Sequence, residues 1–148
     1  MTSSVYITAT GSFLPNAPVS NDDMEQVLGQ AGSKSSRARR TVLRSNGIVS
    51  RHYAIDRVSG EFTHSNAQLA AEAVRALNIS QTVIDCLACG TSIADQLMPG
   101  HASMVQGELG LPACEVASTA GVCLAGITAL KYAVNAVRNG DSQCAVAT

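Results

Sequence analysis

A chain of 148 residues whose 10 lysines and arginines face 11 aspartates and glutamates, for a formal net charge of −1, lacks the basic footprint of a nucleic-acid binder and is the size of one compact unit. Hydrophobic residues make up 46% and charged residues only 14%, so a large part of the surface is expected to be covered by another surface. No apolar run approaches the roughly 18 residues of a membrane span, no basic-then-apolar leader opens the chain, and the five cysteines lack the spacing of a disulfide scaffold; a cytoplasmic protein is expected, without membrane contact.

Residues 5–10, rich in β-branched side chains, read as a strand, and Gly11, Pro15, Asn16 and Pro18 break the chain into a loop. Ser20, Asn21, Asp22 and Asp23 supply cap oxygens and first-turn acids for a short helix through Leu28. The stretch from Gly32 to Arg40 reads as a basic loop, with Lys34, Arg37, Arg39 and Arg40 close together. A helix capped by Thr63 or Ser65 comes next, with Leu69, Ala70, Ala73, Val74 and Leu77 on its apolar face and Asn78 beyond its end. Residues 83–89 form a nearly continuous apolar run closed by Gly90, which suits a strand buried on both faces of a parallel sheet. Pro99 fits a first helical position, with Met98, Ala102, Val105 and Leu109 on one face before Gly110. Residues 113–118 make another strand. Leu124, Ile127, Leu130, Val134 and Val137 mark a long helix closing at Asn139 and Gly140, and a last strand runs from Gln143 to Ala147.

Strands alternating with helices at these lengths define an α/β fold with a mostly parallel sheet covered on both sides. An apolar strand at the very end of the chain reads as half of a larger fold. Cys86 and Cys89 have Cys-x-x-Cys spacing, but they fall in a strand that points them to opposite faces, and no second ligand pair accompanies them; no metal site is expected. No phosphate-binding glycine loop or dinucleotide fingerprint occurs, so no bound nucleotide cofactor is expected either.

The segment from Glu115 to Gly126 carries the chemistry. It joins a strand to a helix and sets Cys123 at the junction, where unpaired N–H groups and the helix dipole favour a thiolate able to attack an acyl group. Small neighbours (Ala120, Gly121, Ala125, Gly126) allow close approach to a buried thiol. The same pattern also suits a tightly packed junction in which Cys123 is only a small apolar side chain, and the residues alone leave both readings open.

Four stretches resemble the thiolase-superfamily condensing enzymes, in particular the 3-oxoacyl-acyl-carrier-protein synthase III group: residues 7–15 with Ser20-Asn21; Arg44-Ser45-Asn46-Gly47-Ile48 with Arg51-His52; Gly90-Thr91-Ser92 leading to Met98-Pro99; and residues 123–130. The resemblance implies the N-terminal half of a duplicated, layered thiolase-like sheet fold over residues 1–148. It makes Cys123 the residue acylated by a thioester before decarboxylative condensation with a malonyl or 3-oxoacyl thioester, with a histidine and an asparagine supplied by a C-terminal half of the same enzyme. It implies phosphopantetheine-linked substrates on an acyl carrier protein or coenzyme A, no bound cofactor, and a homodimer. It further implies substrate-binding roles for Arg44 and for Met98, the latter reaching into a partner subunit's acyl pocket. The basic cluster of Lys34, Arg37, Arg39, Arg40, Arg44 and Arg51 suits an acidic carrier protein, or is a solvated basic loop. His52, His64 and His101 match no catalytic position and are expected on the surface or in loops. Leu124-Ala125-Gly126, a longer approach to the cysteine and the absence of tryptophan depart from the family pattern and point to a divergent branch, such as ketosynthase-like enzymes of secondary metabolism. The alternative is a non-catalytic thiolase-like subunit or scaffold supporting an active partner.

Overall fold

The computed structural model describes residues 4–30, 32, 38–80 and 83–148. Lys34 and Arg37 of the basic stretch lie outside the described residues. Where length suggests one compact unit, the chain divides into two: Leu14–His64, and Met1–Phe13 together with Ser65–Thr148.

The smaller unit contains β1 (Val19–Ser20), α1 (Met24–Leu28), α2 (Arg39–Ser45) and β2 (Ser50–Arg51). β1 and β2 pair antiparallel, Val19 opposite Arg51. Asn21 ties the unit together: its amide donates to the Ile48 carbonyl at 2.7 Å, its side-chain oxygen accepts from Arg51 at 2.6 Å, and its backbone carbonyl accepts from the Arg39 guanidinium. α2 replaces the end of the expected basic loop. It gives no capping signal, since Ala38 precedes it without a side-chain hydrogen bond, and none of its residues is buried.

The larger unit begins its regular structure at α3 (Asn66–Arg75), capped by Ser65, one of the two expected candidates. The Ser65 hydroxyl accepts from the Gln68 amide at 3.1 Å while Gln68 accepts from the Ser65 N–H at 2.9 Å, a reciprocal cap. β3 (Cys86–Thr91), α4 (His101–Leu109), β4 (Glu115–Ala120), α5 (Ala125–Asn139) and β5 (Ala145–Ala147) complete it. The sheet is parallel, ordered β4-β3-β5, with Leu87 opposite both Val116 and Val146. α3 and α4 cover the face carrying Leu87 and Cys89, and α5 covers the face carrying Ala88. This two-sided burial is why β3 reads as an unbroken apolar run, and it sends the two cysteines to opposite faces.

Asp85 fixes the amino ends of the strands. Its carboxylate accepts from the backbone N–H groups of Gln143 at 2.8 Å and Cys144 at 3.1 Å, and its carbonyl accepts from the Glu115 N–H at 3.0 Å.

Several expectations need correction. Residues 5–10 form no strand, since among the described residues none of their backbone groups joins a ladder. Pro99 is not the first residue of α4: Gly100 is the N-cap, the Met98–Pro99 peptide is cis, and Met98 stands 82% exposed off the helix. His101 is a core residue, 4% exposed, and burial lowers its pKa against the opposing pull of Asp95. On α5 the buried face is Ala125, Ala129, Ala133 and Ala136, whereas Leu124 and Ile127 are exposed. The reason is distance: this helix lies so close to β3 that only methyl side chains fit between them, which pushes its larger apolar residues outward. No helix among the described residues is long and apolar enough to cross a membrane.

Candidate active site

In an open parallel sheet, the loops leaving the carboxyl ends of the strands form the crevice where ligands bind. Two such loops matter here. Residues 92–100 leave β3, and residues 121–124 leave β4 and lead into α5.

Cys123 lies in the second loop with φ 67°, one of three non-glycine residues with positive φ among those described. The left-handed region costs such a residue about 1–2 kcal/mol, a strain that tends to gather where a side chain must be presented. The turn is held from both sides. The Thr119 hydroxyl donates to the Ala125 carbonyl at 2.8 Å, and the Thr128 hydroxyl and N–H both reach the Leu124 carbonyl at 2.9 Å. Gly121, at φ 153°, opens the turn. The thiol expected to be buried is instead exposed, because the turn projects past the end of β4 and nothing in the described residues covers it.

The remaining thiols differ in kind. Cys86 and Cys89 are buried, and Cys114 and Cys144 are half-buried. Burial pushes the Cys89 thiol up to about 12 and raises Cys86, Cys114 and Cys144 as well. Burial thus disfavours the thiolate in each of these four, and Cys123 is the one exposed thiol among the described residues.

Met98 sits in the neighbouring loop from β3, so the fold brings it and Cys123 to the same end of the sheet. Ile93, Leu97, Met98, Val122 and Leu124 are all large, apolar and exposed in these two loops. The β3 loop is anchored at both ends. The Asp95 carboxylate accepts from the first N–H groups of α3, Asn66 at 2.7 Å and Ala67 at 2.9 Å, and the Ser118 hydroxyl accepts from the Ala102 N–H at 2.8 Å. Thr119, Ser118 and Asp95 escape a reading of sequence periodicity, since each acts through one hydroxyl or carboxylate and not through an apolar pattern.

Arg44 belongs to the smaller unit. It lies in the last turn of α2 and lines a cavity of about 620 Å³ with Arg39, Arg40, Asn21 and Ile48. Arg39 is committed to Asn21 and, at 3.4 Å, to Glu25. Arg40 and Arg44 have no ion-pair or side-chain hydrogen-bond partner among the described residues. His52 is half-buried and donates from Nδ1 to the carbonyls of Pro15 and Asn16 at 3.1 and 3.0 Å, a structural role. Among the described residues, no group of three histidines, cysteines or acids is placed to hold a metal ion.

No family model matches the chain. It is 29% identical over 138 residues to the beta-ketoacyl-[acyl-carrier-protein] synthase III of Xanthomonas oryzae pv. oryzae, an alignment covering 93% of this chain and 39% of that protein. Among solved structures it superposes on the tetronic acid condensing enzyme AbyA1 with a TM-score of 0.72 at 27% identity, over 90% of this chain and 41% of that one. It superposes on beta-ketoacyl-[acyl-carrier-protein] synthase III from Thermus thermophilus with a TM-score of 0.70 at 26% identity, over 93% of this chain and 40% of that one. The chain spans about two fifths of the length of each. By sequence and by fold it is related to the beta-ketoacyl-[acyl-carrier-protein] synthase III group of thiolase-fold condensing enzymes, matching their N-terminal portion.

Proposed function

We propose that this chain is the nucleophile-bearing portion of an acyltransferase that makes carbon–carbon bonds by decarboxylative Claisen condensation. The observation that carries the reading is Cys123, an exposed thiol on a left-handed turn at the carboxyl end of a parallel sheet, in a chain related to condensing enzymes. The Cys123 thiolate attacks the carbonyl carbon of an acyl thioester, the phosphopantetheine thiol leaves, and an acyl-cysteine forms. A malonyl thioester then loses its carboxylate as carbon dioxide, or a 3-oxoacyl thioester gives up its acidic C2 proton to a base. The resulting carbanion attacks the acyl carbonyl, and the Cys123 thiolate departs.

The second half-reaction draws on groups outside this chain, a histidine and an asparagine of a C-terminal half. The phosphopantetheine substrates arrive on acyl carrier protein or coenzyme A, in fatty-acid or secondary-metabolite synthesis in the cytoplasm. Arg44, with Arg40, offers uncommitted positive charge to the acidic carrier or to the phosphate of the pantetheine arm. Met98, on its exposed loop, contributes to the acyl pocket of a second subunit in a homodimer, a role its flexible thioether suits. The alternative of a non-catalytic scaffold draws no support from relatives that are themselves named as synthases or condensing enzymes.

The test is acyl transfer. After incubation with acetyl-coenzyme A and with acetylated carrier protein, intact-mass and peptide mapping should find one acyl group, on Cys123. The absence of any adduct, or an equal adduct on Cys123→Ala, sinks the assignment.

A further inference from the structure

Cys123 stands on a short turn whose two feet are Thr119, near the end of β4, and Ala125, the first residue of α5. The half-buried Thr119 donates its hydroxyl proton to the Ala125 carbonyl at 2.8 Å, so one hydrogen bond joins the two feet across the base of the turn. The Cys89 carbonyl, at 3.5 Å, is a far weaker competitor for the same proton. Between the feet Cys123 is held at φ 67°, a strained conformation that persists only when its surroundings enforce it.

α5 supplies no tie of its own at this end. Its N-cap is Leu124, which has no side-chain oxygen and makes no side-chain cap bond. The start of the helix is fixed from the sheet instead. Gly90 and Thr119 lie opposite one another in the register of β3 and β4, two residues beyond Ala88 and Ala117, which pack on α5. With a side-chain period of two, Gly90 and Thr119 therefore face α5 as well. A β-carbon on Gly90 would lie 2.7 Å from the Gly126 nitrogen, so Gly90 sets how closely the helix approaches. Thr119 beside it bonds the backbone of the first turn and so sets how that turn is rotated. Threonine suits the task, because its β-branched side chain has few rotamers and carries the hydroxyl in a direction fixed by the strand.

We infer that Thr119 is a positioning residue for the Cys123 nucleophile: through the Ala125 carbonyl it holds the turn so that the sulfur meets an acyl carbonyl in line for attack. Attack requires the reacting atoms about 3–3.5 Å apart and aligned, and a displacement of about 1 Å costs on the order of a hundredfold in rate. A turn free to rock on its feet spreads the sulfur over such distances while leaving it exposed. The inference rests on the reading of Cys123 as the acylated residue.

The test compares Thr119→Val, which keeps the shape and removes the hydroxyl, with Thr119→Ser, which keeps the hydroxyl, and with Asp85→Ala, which weakens the sheet at its opposite end. Single-turnover acylation of Cys123 by acetyl-coenzyme A is followed by intact mass, and amide hydrogen exchange is measured on the same proteins. Thr119→Val should slow acylation at saturating acetyl-coenzyme A about tenfold or more, with the half-saturating concentration within about twofold of the parent. It should also quicken exchange in the first turn of α5 while α3 and α4 stay protected. Thr119→Ser should recover about half the parent rate or more, and Asp85→Ala should stay within about twofold of it. Thr119→Val acylating at the parent rate, a loss confined to the half-saturating concentration, Thr119→Ser as slow as Thr119→Val, equal slowing by Asp85→Ala, or unchanged exchange at the start of α5 each overturns the positioning role. A parent chain that takes up no acyl group overturns the acyltransferase reading instead, and the exchange comparison then decides alone whether Thr119 holds the turn.

Discussion

A β-carbon placed on Gly90 would lie 2.5 Å from both the carbonyl carbon and the carbonyl oxygen of Ala125. The last part of β3 and the first turn of α5 are therefore in backbone contact, and glycine is the residue that permits it. Backbone atoms cannot rotate away as a side chain does, so Gly90→Ala must displace α5. The expected loss is about 2–3 kcal/mol of stability, read as a lower urea midpoint. Because α5 carries the Cys123 turn at its start, acyl transfer should fall as well. A loss below about 0.5 kcal/mol shows that the helix shifts without strain.

Cys123 holds a backbone conformation that glycine adopts without penalty. Cys123→Gly should raise stability by about 1 kcal/mol even as it removes the nucleophile, and Cys123→Val should lower it, because a β-branched side chain tolerates positive φ worse. Thermal unfolding of the two variants beside the parent decides this. A Gly variant no more stable than the parent argues that the turn is unstrained.

The thiols should separate by reactivity. With limiting iodoacetamide at pH 8, Cys123 is expected to alkylate first, Cys114 and Cys144 later, and Cys86 and Cys89 only on unfolding, since the thiolate is the reacting form and burial suppresses it in the others. Peptide mass spectrometry over a time course gives the order. Modification of Cys89 alongside Cys123 contradicts it.

His101 makes stability depend on pH. Its folded pKa lies below its ordinary value because burial disfavours the imidazolium. As pH falls through the unfolded value near 6.5, the unfolded chain takes up a proton that the folded chain resists, so stability is complete above that pH and declines below it. The unfolding midpoint should drop between pH 7.5 and 5.5, and His101→Gln should flatten that drop. An identical slope in the variant removes His101 from the account.

Asp85→Ala should cost about 1 kcal/mol by freeing the N–H groups of Gln143 and Cys144, with Asp85→Asn intermediate because its oxygen still accepts one bond. Exchange of the β5 amides should quicken with it. An unchanged β5 exchange rate shows that the strand is fixed by other contacts.

Much of the larger unit was legible in the sequence because its cues are local. Ser65, one of two expected caps, starts α3, Gly110 and Gly140 end α4 and α5 in left-handed conformations, and the unbroken apolar β3 signals a sheet covered on both faces. The cysteine turn was legible too, as a strand-to-helix junction with a thiol in it. The misreadings came where a pattern depends on distance between elements. Periodicity gives Leu124, Ile127 and Leu130 the inner face of α5, but contact with Gly90 admits only alanines there. α2 has neither a cap nor a buried face, and residues 5–10 have strand composition but join no ladder among the described residues.

Asp85 gathers the amino ends of three strands into one knot of hydrogen bonds, whereas at their carboxyl ends the short side-chain bonds of Ser118 and Thr119 of β4 run outward to the helices and tie no strand to another. The two rims of the sheet therefore differ in how freely they can be rewritten. Residues inserted or lost near Asp85 would untie all three strands at once, but the loops after β3 and β4 can lengthen or shorten without disturbing the register behind them. The extended approach to Cys123 lies on that permissive rim, where a lineage can reshape what reaches the thiol while keeping the scaffold that holds it.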